Sequence, residues 1–347
     1  MYRLIDLEPS READWQAFAD AHGGIFHSLT WKRILEETFG YASRYLMLVD
    51  RHERVAGLLP TMVSRNLQLA RVAVSLPFVN QLDLCSRDAE ARAALVRSIG
   101  TVPERLGVRS LELRLSHDDF AGSDASVDSS NVTFVLPLAN GEEALLAACS
   151  ASNRNHVRKV YRRDIFAADT AGSDLDAFYH LYSQRQKQLG SPAPGIDFFQ
   201  RIRRSLPEQS IVLTVRERAS GAPVAGMFLF SSGDTLSYAW GGGDVAYNRW
   251  HANVFMYWEA VRYGIAHGYR SLDLGRSSNV AGQAGTYAFK AQFGAAATPL
   301  IYRRFGAAGA SLTERRARLA PAVAVWKRLP AALTAPLGRA LIRYVLP

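Results

Sequence analysis

The sequence contains two copies of one pattern, and this internal repeat constrains the fold more than any single motif. GVRSLELR (Gly107–Arg114) resembles GYRSLDLG (Gly268–Gly275), and a segment with helical periodicity precedes each of them. Upstream, YLMLVDRHERVAGLLP and IVLTVRERASGAPVAG each place two β-rich runs around a charged turn, which is the pattern of a β-hairpin. Because such repeats reflect repeated structural units, the chain is predicted to hold two copies of one α/β (α+β) domain.

Length, charge and cysteine content narrow the class of protein. The 347 residues suffice for two domains, and the net charge of +9 favours an anionic partner. Cys85 and Cys149 form neither a C-x-x-C pair nor a Cys/His zinc spacing, and the eight histidines are dispersed, so no disulfide framework and no metal are expected. The N-terminal stretch lacks a signal-peptide pattern, and no apolar run approaches the roughly 20 residues that span a bilayer. We therefore expect a cytoplasmic protein.

The order of several sequence pieces resembles the Fem family, whose members carry two GNAT-like domains in one chain. The pieces are FHSLTWKRILEETFGY, SNRNHVRKVYRR, GAPVAGMFLF, HGYRSLDLGRSS, and YAFKAQFG followed by PLIY. The resemblance implies tandem GNAT-like (acyl-CoA N-acyltransferase) domains with mixed central sheets at residues 1–149 and 150–305, the second carrying the active site, and a basic amphipathic tail at 306–347. In length the chain is more similar to the exopolysaccharide and PEP-CTERM-associated branch than to the tRNA-dependent peptidoglycan enzymes.

The resemblance also implies an activity and its substrates. It implies an acyltransferase that moves an acyl or aminoacyl group onto an amine of a cell-envelope glycan precursor, in exopolysaccharide or peptidoglycan synthesis. The implied donor is an acyl-CoA, an acyl carrier protein thioester or an aminoacyl-tRNA, and the acceptor is a lipid-linked or nucleotide-linked glycan; no DNA partner is expected. The loop GGGDVAYNRWHAN (Gly241–Asn253) lacks the Arg/Gln-x-x-Gly-x-Gly/Ala pattern of CoA-using GNAT enzymes, which argues against ordinary acetyl-CoA use, although Asn248–Arg249 and His251 could still bind phosphate.

Comparison of the two halves selects the candidate catalytic residues. Lys290 has no lysine counterpart in the first half, whereas Asp273 corresponds to Glu112. A lysine among aromatic residues can stabilise the oxyanion that forms when an amine attacks an acyl carbonyl, and a carboxylate can take the proton of the amine. The resemblance ties Phe289 and Lys290 to the acyl donor and places Tyr287 where many GNAT enzymes protonate the leaving thiolate. The alternatives are a structural strand-end acid for Asp273, a phosphate contact for Lys290 and aromatic packing for Tyr287.

Other residues are predicted to bind substrate. Arg276 and Ser277 follow a strand, at the position where ligands bind in α/β sheets, and the guanidinium of Arg276 suits phosphate or carboxylate. Tyr238 and Trp240 are predicted to alternate on one side of a strand and to wall a cleft, with burial in the core as the alternative. Trp31 is expected in the core beneath the first domain's cleft, close to where family members place substrate contacts.

A basic cluster marks the junction between the halves. Its members are Arg154, His156, Arg158, Lys159, Arg162 and Arg163. On a helix, Arg154, Arg158 and Arg162 share one face, which suits a diphosphate or a nucleic-acid backbone, a solvated basic surface being the alternative.

The tail is basic and periodic. After Gly306 there are seven Arg or Lys residues, among them Arg315 and Arg316, against one acid, Glu314. Apolar residues follow helical spacing, at Leu312, Leu319, Val323 and Trp326 and then at Leu333, Leu337, Leu341 and Val345. This pattern suits peripheral binding to an anionic membrane, and packing on the protein body is the alternative. The competing class for the whole chain is a non-catalytic tandem GNAT scaffold in polysaccharide assembly that binds RNA or another anion.

Overall fold

The computed structural model describes residues 2–172, 174–280, 285–307 and 312–345, the side chains of residues 312–317 excepted. The chain forms two compact units. Unit 1 comprises Met1–Ser129, Pro299–Leu319 and Ala340–Pro347, and unit 2 comprises Ser130–Thr298 and Ala320–Arg339.

The first part of the chain begins with one strand and two helices, continues through six strands and two further helices, and ends in a strand. These elements are β1 (Arg3–Asp6), α1 (Glu12–His22), α2 (Leu29–Phe39), β2 (Ala42–Ser43), β3 (Leu46–Val49), β4 (Val55–Leu59), β5 (Met62–Arg65), β6 (Arg71–Val74), β7 (Cys85–Ser86), α3 (Ala89–Ile99), α4 (Val102–Arg105) and β8 (Ser110–Leu115).

The remaining elements repeat this order and add two terminal helices. They are β9 (Ser126–Pro137), α5 (Gly141–Ala148), α6 (Ala151–Arg163), β10 (Phe166–Asp169), α7 (Leu175–Leu189), α8 (Ile196–Ser205), β11 (Ser210–Glu217), β12 (Pro223–Ser232), β13 (Thr235–Gly243), α9 (Ala252–Ala266), β14 (Ser271–Asp273), β15 (Ser277–Ser278), α10 (Gly285–Ala291), β16 (Ala297–Gly306), α11 (Leu312–Arg328) and α12 (Ala331–Val345).

The predicted hairpins form in both units and occupy equivalent positions. In unit 1, β3 and β4 pair antiparallel, with Leu48 opposite Gly57. In unit 2, β11 and β12 pair antiparallel, with Thr214 opposite Gly226. Each unit also contains one parallel pair, β6 with β8 and β13 with β14, because a helix-containing connection precedes β8 and β14. The predicted mixed α/β architecture is therefore confirmed.

The sheets differ in order between the units. Unit 1 contains the orders β1-β3-β4-β7 and β16-β8-β6-β5-β2, and unit 2 contains the order β10-β11-β12-β13-β14-β9. Strand β9 thus follows β8 in sequence but pairs with β14, through Val135–Pro137. Strand β16 pairs with β8.

These pairings move the division of the chain away from the predicted positions. The units divide between Ser129 and Ser130, before the predicted boundary at residues 149 and 150, because β9 belongs to the sheet of unit 2. Residues after 306 are divided between the units instead of forming a separate tail. A repeat shows which segments are alike, but it does not encode which strands pair at the ends of the sheets.

Helices cover both faces of the unit 2 sheet. Helix α9 is buried around most of its circumference, including Tyr257 and Trp258, and it contacts α6, β11 and β12. On the other face, α7 and α8 supply Phe178 and Phe199, whose rings lie 5.2 Å apart. The unit 2 sheet is therefore supported by packed apolar side chains on both of its faces.

Candidate active site

The two parallel strands of unit 2 part at the segment that the repeat comparison singled out. Thr235–Ser237 of β13 pair with Ser271–Asp273 of β14, after which β14 ends while β13 continues to Gly243. Diverging strand ends of this kind leave backbone groups and side chains free to face a ligand. Asp273 lies at this point.

Lys290 reaches the same point from α10. Its side chain is 3% exposed, and Nζ donates to the carbonyl oxygens of Gly275 at 2.8 Å and Arg276 at 3.0 Å. Nζ also lies 5.4 Å from the ring centroid of Tyr238, within the range of a cation–π contact. The ammonium is thus fixed by two backbone carbonyls and one aromatic face.

Glycine is required in the turn that accepts these bonds. Gly275 has a φ of +79°, and a Cβ at this position would lie 2.7 Å from Cδ1 of Tyr238. Only glycine adopts this conformation and passes so close to the ring without strain. The turn therefore holds the carbonyls of Gly275 and Arg276 against Lys290.

Burial sets the protonation chemistry of Lys290. Loss of hydration lowers the pKa of its ammonium to about 7; the negative charge of Asp273 opposes this shift, and the positive charge of Arg276 adds to it. At neutral pH the side chain consequently populates both its charged and neutral forms. It can give and take a proton at little cost.

Asp273 is held as a carboxylate with unusual basicity. Its Oδ1 accepts a hydrogen bond from the Gly275 N–H at 2.7 Å and another from the Thr133 hydroxyl. Burial raises the pKa of Asp273 in spite of these two bonds and of the charge of Lys290, which all act in the opposite direction. A carboxylate with a raised pKa is a stronger general base than an ordinary aspartate.

Aromatic rings form one wall beside these groups. Tyr238 stacks on Tyr257 at 5.4 Å, and Tyr257 meets Phe289 edge-on at 5.2 Å. Burial raises the pKa of Tyr238 to about 12, so it remains a neutral phenol. Tyr287 is half-buried and packs edge-on against Phe134 at 5.1 Å. The structure thus gathers Lys290, Asp273, Tyr238 and Phe289 around one turn.

Arg276 and Ser277 leave this turn in opposite directions. The side chain of Arg276 is exposed, whereas Ser277 is 3% exposed and belongs to β15, which pairs with Val132 of β9. The hydroxyl of Ser277 has no hydrogen-bond partner among the residues that the structure describes. A buried hydroxyl without a partner is costly and is characteristic of functional sites.

The structure corrects the predicted position of Trp240. A β-bulge between Phe228 and Leu229 of β12 places Trp240 opposite Phe228 and Tyr238 opposite Leu229. Because consecutive residues of a strand point to opposite faces, the two side chains lie on different sides of the sheet. Trp240 packs among Phe198, Phe199, Phe228 and Phe230, at 5.3–5.7 Å. Trp240 is thus a partly exposed member of this aromatic cluster, on the face away from Lys290.

Trp31 proves to be a core residue. It is fully buried in α2 of unit 1, where it meets Phe26 edge-on at 5.0 Å. Its full burial agrees with the expected core position, and a substrate contact by Trp31 stays a prediction.

The basic junction forms a helix as predicted, but its faces have different surroundings. Nη1 of Arg154 donates to the carbonyls of Ala147 at 2.9 Å and Cys149 at 3.2 Å, which caps the end of α5. Arg158 is exposed on the same helix. The face that approaches α9 carries His156, Lys159 and Arg163 instead.

These side chains form a cationic cluster with the start of α9, and the helical-face argument did not select it. The imidazole of His156 stacks on that of His251 at 4.0 Å. Burial lowers the pKa of His251, and the charges of His156, Lys159 and Arg163 lower it further. The guanidinium carbons of Arg163 and Arg249 lie 5.3 and 5.2 Å from the ring centroid of Trp250.

The cluster assembles two sequence signals that lie about ninety residues apart. Each was visible alone, in the basic junction and in the Asn248–Arg249 loop, but their meeting depends on the packing of α6 against α9. Positive charges gathered at the start of a 15-residue helix favour an anion, because the helix dipole adds to their field. We name it the α6–α9 cluster: His156, Lys159, Arg163, Arg249 and His251.

Two further features limit the class of site. In the described part of the chain, no group of three or more His, Cys, Asp or Glu side chains could hold a metal ion. No helix among the described residues is both long and apolar enough to cross a bilayer.

Comparison with known proteins agrees with this geometry. A profile of the acetyltransferase (GNAT) domain matches residues 149–291, the segment that holds both the α6–α9 cluster and Lys290. No curated protein sequence matches the chain significantly.

Solved structures show the same fold across the chain. FemX matches with a TM-score of 0.63 at 13% identity, covering 87% of this chain and 96% of FemX. The C-terminal domain of a putative lysylphosphatidylglycerol synthetase from Agrobacterium fabrum matches at 0.57 and 14%, covering 89% and 97%. A tandem GNAT protein from the clavulanic acid biosynthesis pathway matches at 0.53 and 11%, covering 90% and 100%. The fold is that of the tandem GNAT acyltransferases. Together with the domain match, it supports an acyltransferase.

Proposed function

We propose that the protein transfers an acyl or aminoacyl group from a phosphate-bearing carrier to an amine of a cell-envelope glycan precursor, at the unit 2 site. The observation that carries the proposal is the buried ammonium of Lys290, fixed beside Asp273 where β13 and β14 part. Burying a lysine costs free energy, and proteins tolerate that cost mainly where the altered pKa serves a function.

The proposed reaction is a direct transfer. The acceptor amine attacks the carbonyl carbon of a thioester or ester, a C–N bond forms, and the carbonyl electron pair moves onto oxygen. Lys290 gives two of its three N–H groups to the carbonyls of Gly275 and Arg276, and the third serves the oxyanion. Asp273 takes the proton of the attacking amine. Collapse of the tetrahedral intermediate breaks the C–S or C–O bond, and Tyr287 or water protonates the departing thiolate or alkoxide.

The α6–α9 cluster is proposed to hold the carrier. Acyl-CoA, acyl carrier protein thioesters and aminoacyl-tRNA all bear phosphate, which the pantetheine arm or the terminal ribose separates from the acyl group. The cationic side chains of Lys159, Arg163 and Arg249 gather around the stacked imidazoles and repel one another unless an anion neutralises them. A bound phosphate would offset that repulsion and raise the pKa of His251.

The acceptor is inferred from the class of similar structures. FemX and a putative lysylphosphatidylglycerol synthetase share the fold, and the name of the second indicates a lipid product of the cell envelope. An amine on a lipid-linked or nucleotide-linked glycan suits this class, and exopolysaccharide synthesis is the proposed setting, inside the cell. Arg276, exposed beside the turn, and the unpartnered hydroxyl of Ser277 are the proposed acceptor contacts.

The α6–α9 cluster also favours a second function, RNA or anion binding without catalysis. Purified protein should therefore be incubated with a membrane extract and, in turn, acyl-CoA, acyl carrier protein thioesters and aminoacyl-tRNA, and products followed by mass spectrometry. Transfer from one carrier supports the enzyme and names the donor. Absence of transfer from every carrier, with RNA bound at low salt and released at high salt, supports the binding protein instead.

A further inference from the structure

Helix α12 carries an exposed apolar face that neither the acyl-transfer site nor the α6–α9 cluster uses. Leu333, Leu337, Leu341 and Val345 are 51%, 45%, 38% and 37% exposed. Their spacing of four residues places them on one face of the helix. We call this the α12 leucine face. A contiguous apolar face of this kind in water marks a surface that another body covers.

The leucine face is exposed although the helix is anchored. A neighbouring face of α12 buries Thr334 and Ile342, at 8% and 2% exposure. Between them, Gly338 packs so closely on Ala193 that a Cβ would lie 3.3 Å from its backbone. The helix is therefore held against the protein through small and β-branched residues, on a face that adjoins the leucine face and overlaps its edge, so the leucines remain about half-exposed.

The charges of this segment select the occupant. Residues 315–345 contain no Asp or Glu, and Lys327, Arg328, Arg339 and Arg343 are exposed. Arg339 and Arg343 do not fall on the face of the leucines, because they are displaced from Leu337 and Leu341 by two residues, about 200° around the helix. Leucines on one face and arginines on the other are the arrangement of a helix that lies in the interface of an anionic membrane.

Other occupants fit less well. A second copy of the chain would bring the same basic segments together, and each copy has a net charge of +9, so like charges would oppose the contact. A neutral apolar partner would account for the leucines but not for the complete lack of acids. We propose that α12 docks the protein on the surface of an anionic phospholipid bilayer, with the leucine face inserted among the acyl chains.

This proposal does not depend on acyl transfer, and its test uses lipid alone. The full chain is mixed with vesicles of phosphatidylcholine, or of phosphatidylcholine and phosphatidylglycerol at roughly 2:1, and bound protein is measured by sedimentation. We expect binding to the anionic vesicles only, weakened as salt is added because the attraction is screened.

Two variants distinguish insertion of the leucine face from nonspecific adsorption to the vesicles. Leu337→Glu with Leu341→Glu should weaken binding to anionic vesicles about tenfold or more, because two carboxylates replace inserted side chains. Leu69→Glu, at a residue that is 65% exposed in a turn of unit 1, should bind like the wild type. Circular dichroism and size-exclusion chromatography of all three proteins check fold and oligomeric state.

The results that would contradict membrane docking can be told apart from one another. Equal vesicle binding by the wild type and the double variant, or no binding by either, would overturn the proposal. A wild-type dimer that the double variant converts to a monomer would assign the leucine face to a second copy instead. Acyl transfer in solution that survives in the double variant would leave the proposed function untouched.

Discussion

Equivalent strands of the two units carry acids with opposite surroundings. In unit 1, Glu112 forms ion pairs with Arg304 at 2.7 Å and with the nearly buried Arg114 at 3.2 Å. In unit 2, Asp273 accepts bonds from the neutral donors Thr133 and Gly275 and lies near one partly deprotonated lysine. One repeat position therefore holds a fixed ion pair in unit 1 and a carboxyl with a raised pKa in unit 2.

The difference teaches where chemistry can occur. An arginine pair fixes the charge of a carboxylate, because the guanidinium stays protonated at every ordinary pH. Burial raises the pKa of the Asp273 carboxyl and lowers the pKa of the Lys290 ammonium, which brings the two pKa values closer together, as general acid–base catalysis requires. Unit 1 keeps the fold of the repeat, and unit 2 adds the lysine–aspartate pair on which the proposed transfer depends.

The largest contrast should come from removing each acid in turn. Asp273→Asn should lower kcat/KM for acyl transfer about 100-fold or more, since the base is lost. Its stability at neutral pH should not fall, because the raised pKa makes ionised Asp273 costly in the folded state. Glu112→Gln should keep kcat/KM but lower the free energy of unfolding by about 3 kcal/mol, since the buried Arg114 and the neighbouring Arg304 both lose the carboxylate with which they pair. Steady-state kinetics of both variants measure the loss of kcat/KM, and urea unfolding measures the loss of stability. An equal loss of activity in the two variants would contradict the comparison.

The pH dependence of stability should report the buried lysine. In the folded state the pKa of Lys290 is about 7, below the ordinary value of 10.5, so between these values the unfolded chain binds a proton that the folded chain lacks. Stability of the wild type should consequently rise with pH, relative to Lys290→Met, by about 1.4 kcal/mol per unit above pH about 7.

Urea unfolding of both proteins at several pH values between about 7 and 9 measures this slope. Lys187→Met, at a half-exposed lysine of α7, is the matched control for the loss of a lysine side chain. A constant difference between wild type and Lys290→Met across this range would mean that Lys290 titrates normally.

A smaller effect is expected at the α6–α9 cluster. Arg163→Gln and Arg249→Gln should each raise the KM for the phosphate-bearing donor about tenfold, because a charge-assisted contact is lost. Arg158→Gln, on the exposed face of α6, should leave KM unchanged. If Arg158→Gln had the larger effect, the basic face chosen from helical periodicity would be the carrier site after all.

The sequence predicted the repeat and the architecture well, because hydrophobic periodicity and paired turns act locally. It also singled out Lys290, since a repeat reveals the residues that one half alone possesses, whereas Asp273 has an acidic counterpart in Glu112 and was chosen for the chemistry of its carboxylate. The prediction that Trp240 and Tyr238 share one side of the strand was wrong, because one bulged residue in β13 places their side chains on opposite faces of the sheet. The order of apolar and polar residues in the sequence does not reveal such a bulge. The stack of His156 on His251 was equally hidden, since it arises from packing between helices.

The most direct test of the central claim is the kcat/KM of Lys290→Met for the donor that the carrier panel identifies, measured beside Lys187→Met. With the oxyanion contact removed and the fold intact by circular dichroism, Lys290→Met should lose about 100-fold or more, while Lys187→Met should match the wild type. Full activity in a folded Lys290→Met protein would show that acyl transfer does not depend on the ammonium beside Asp273.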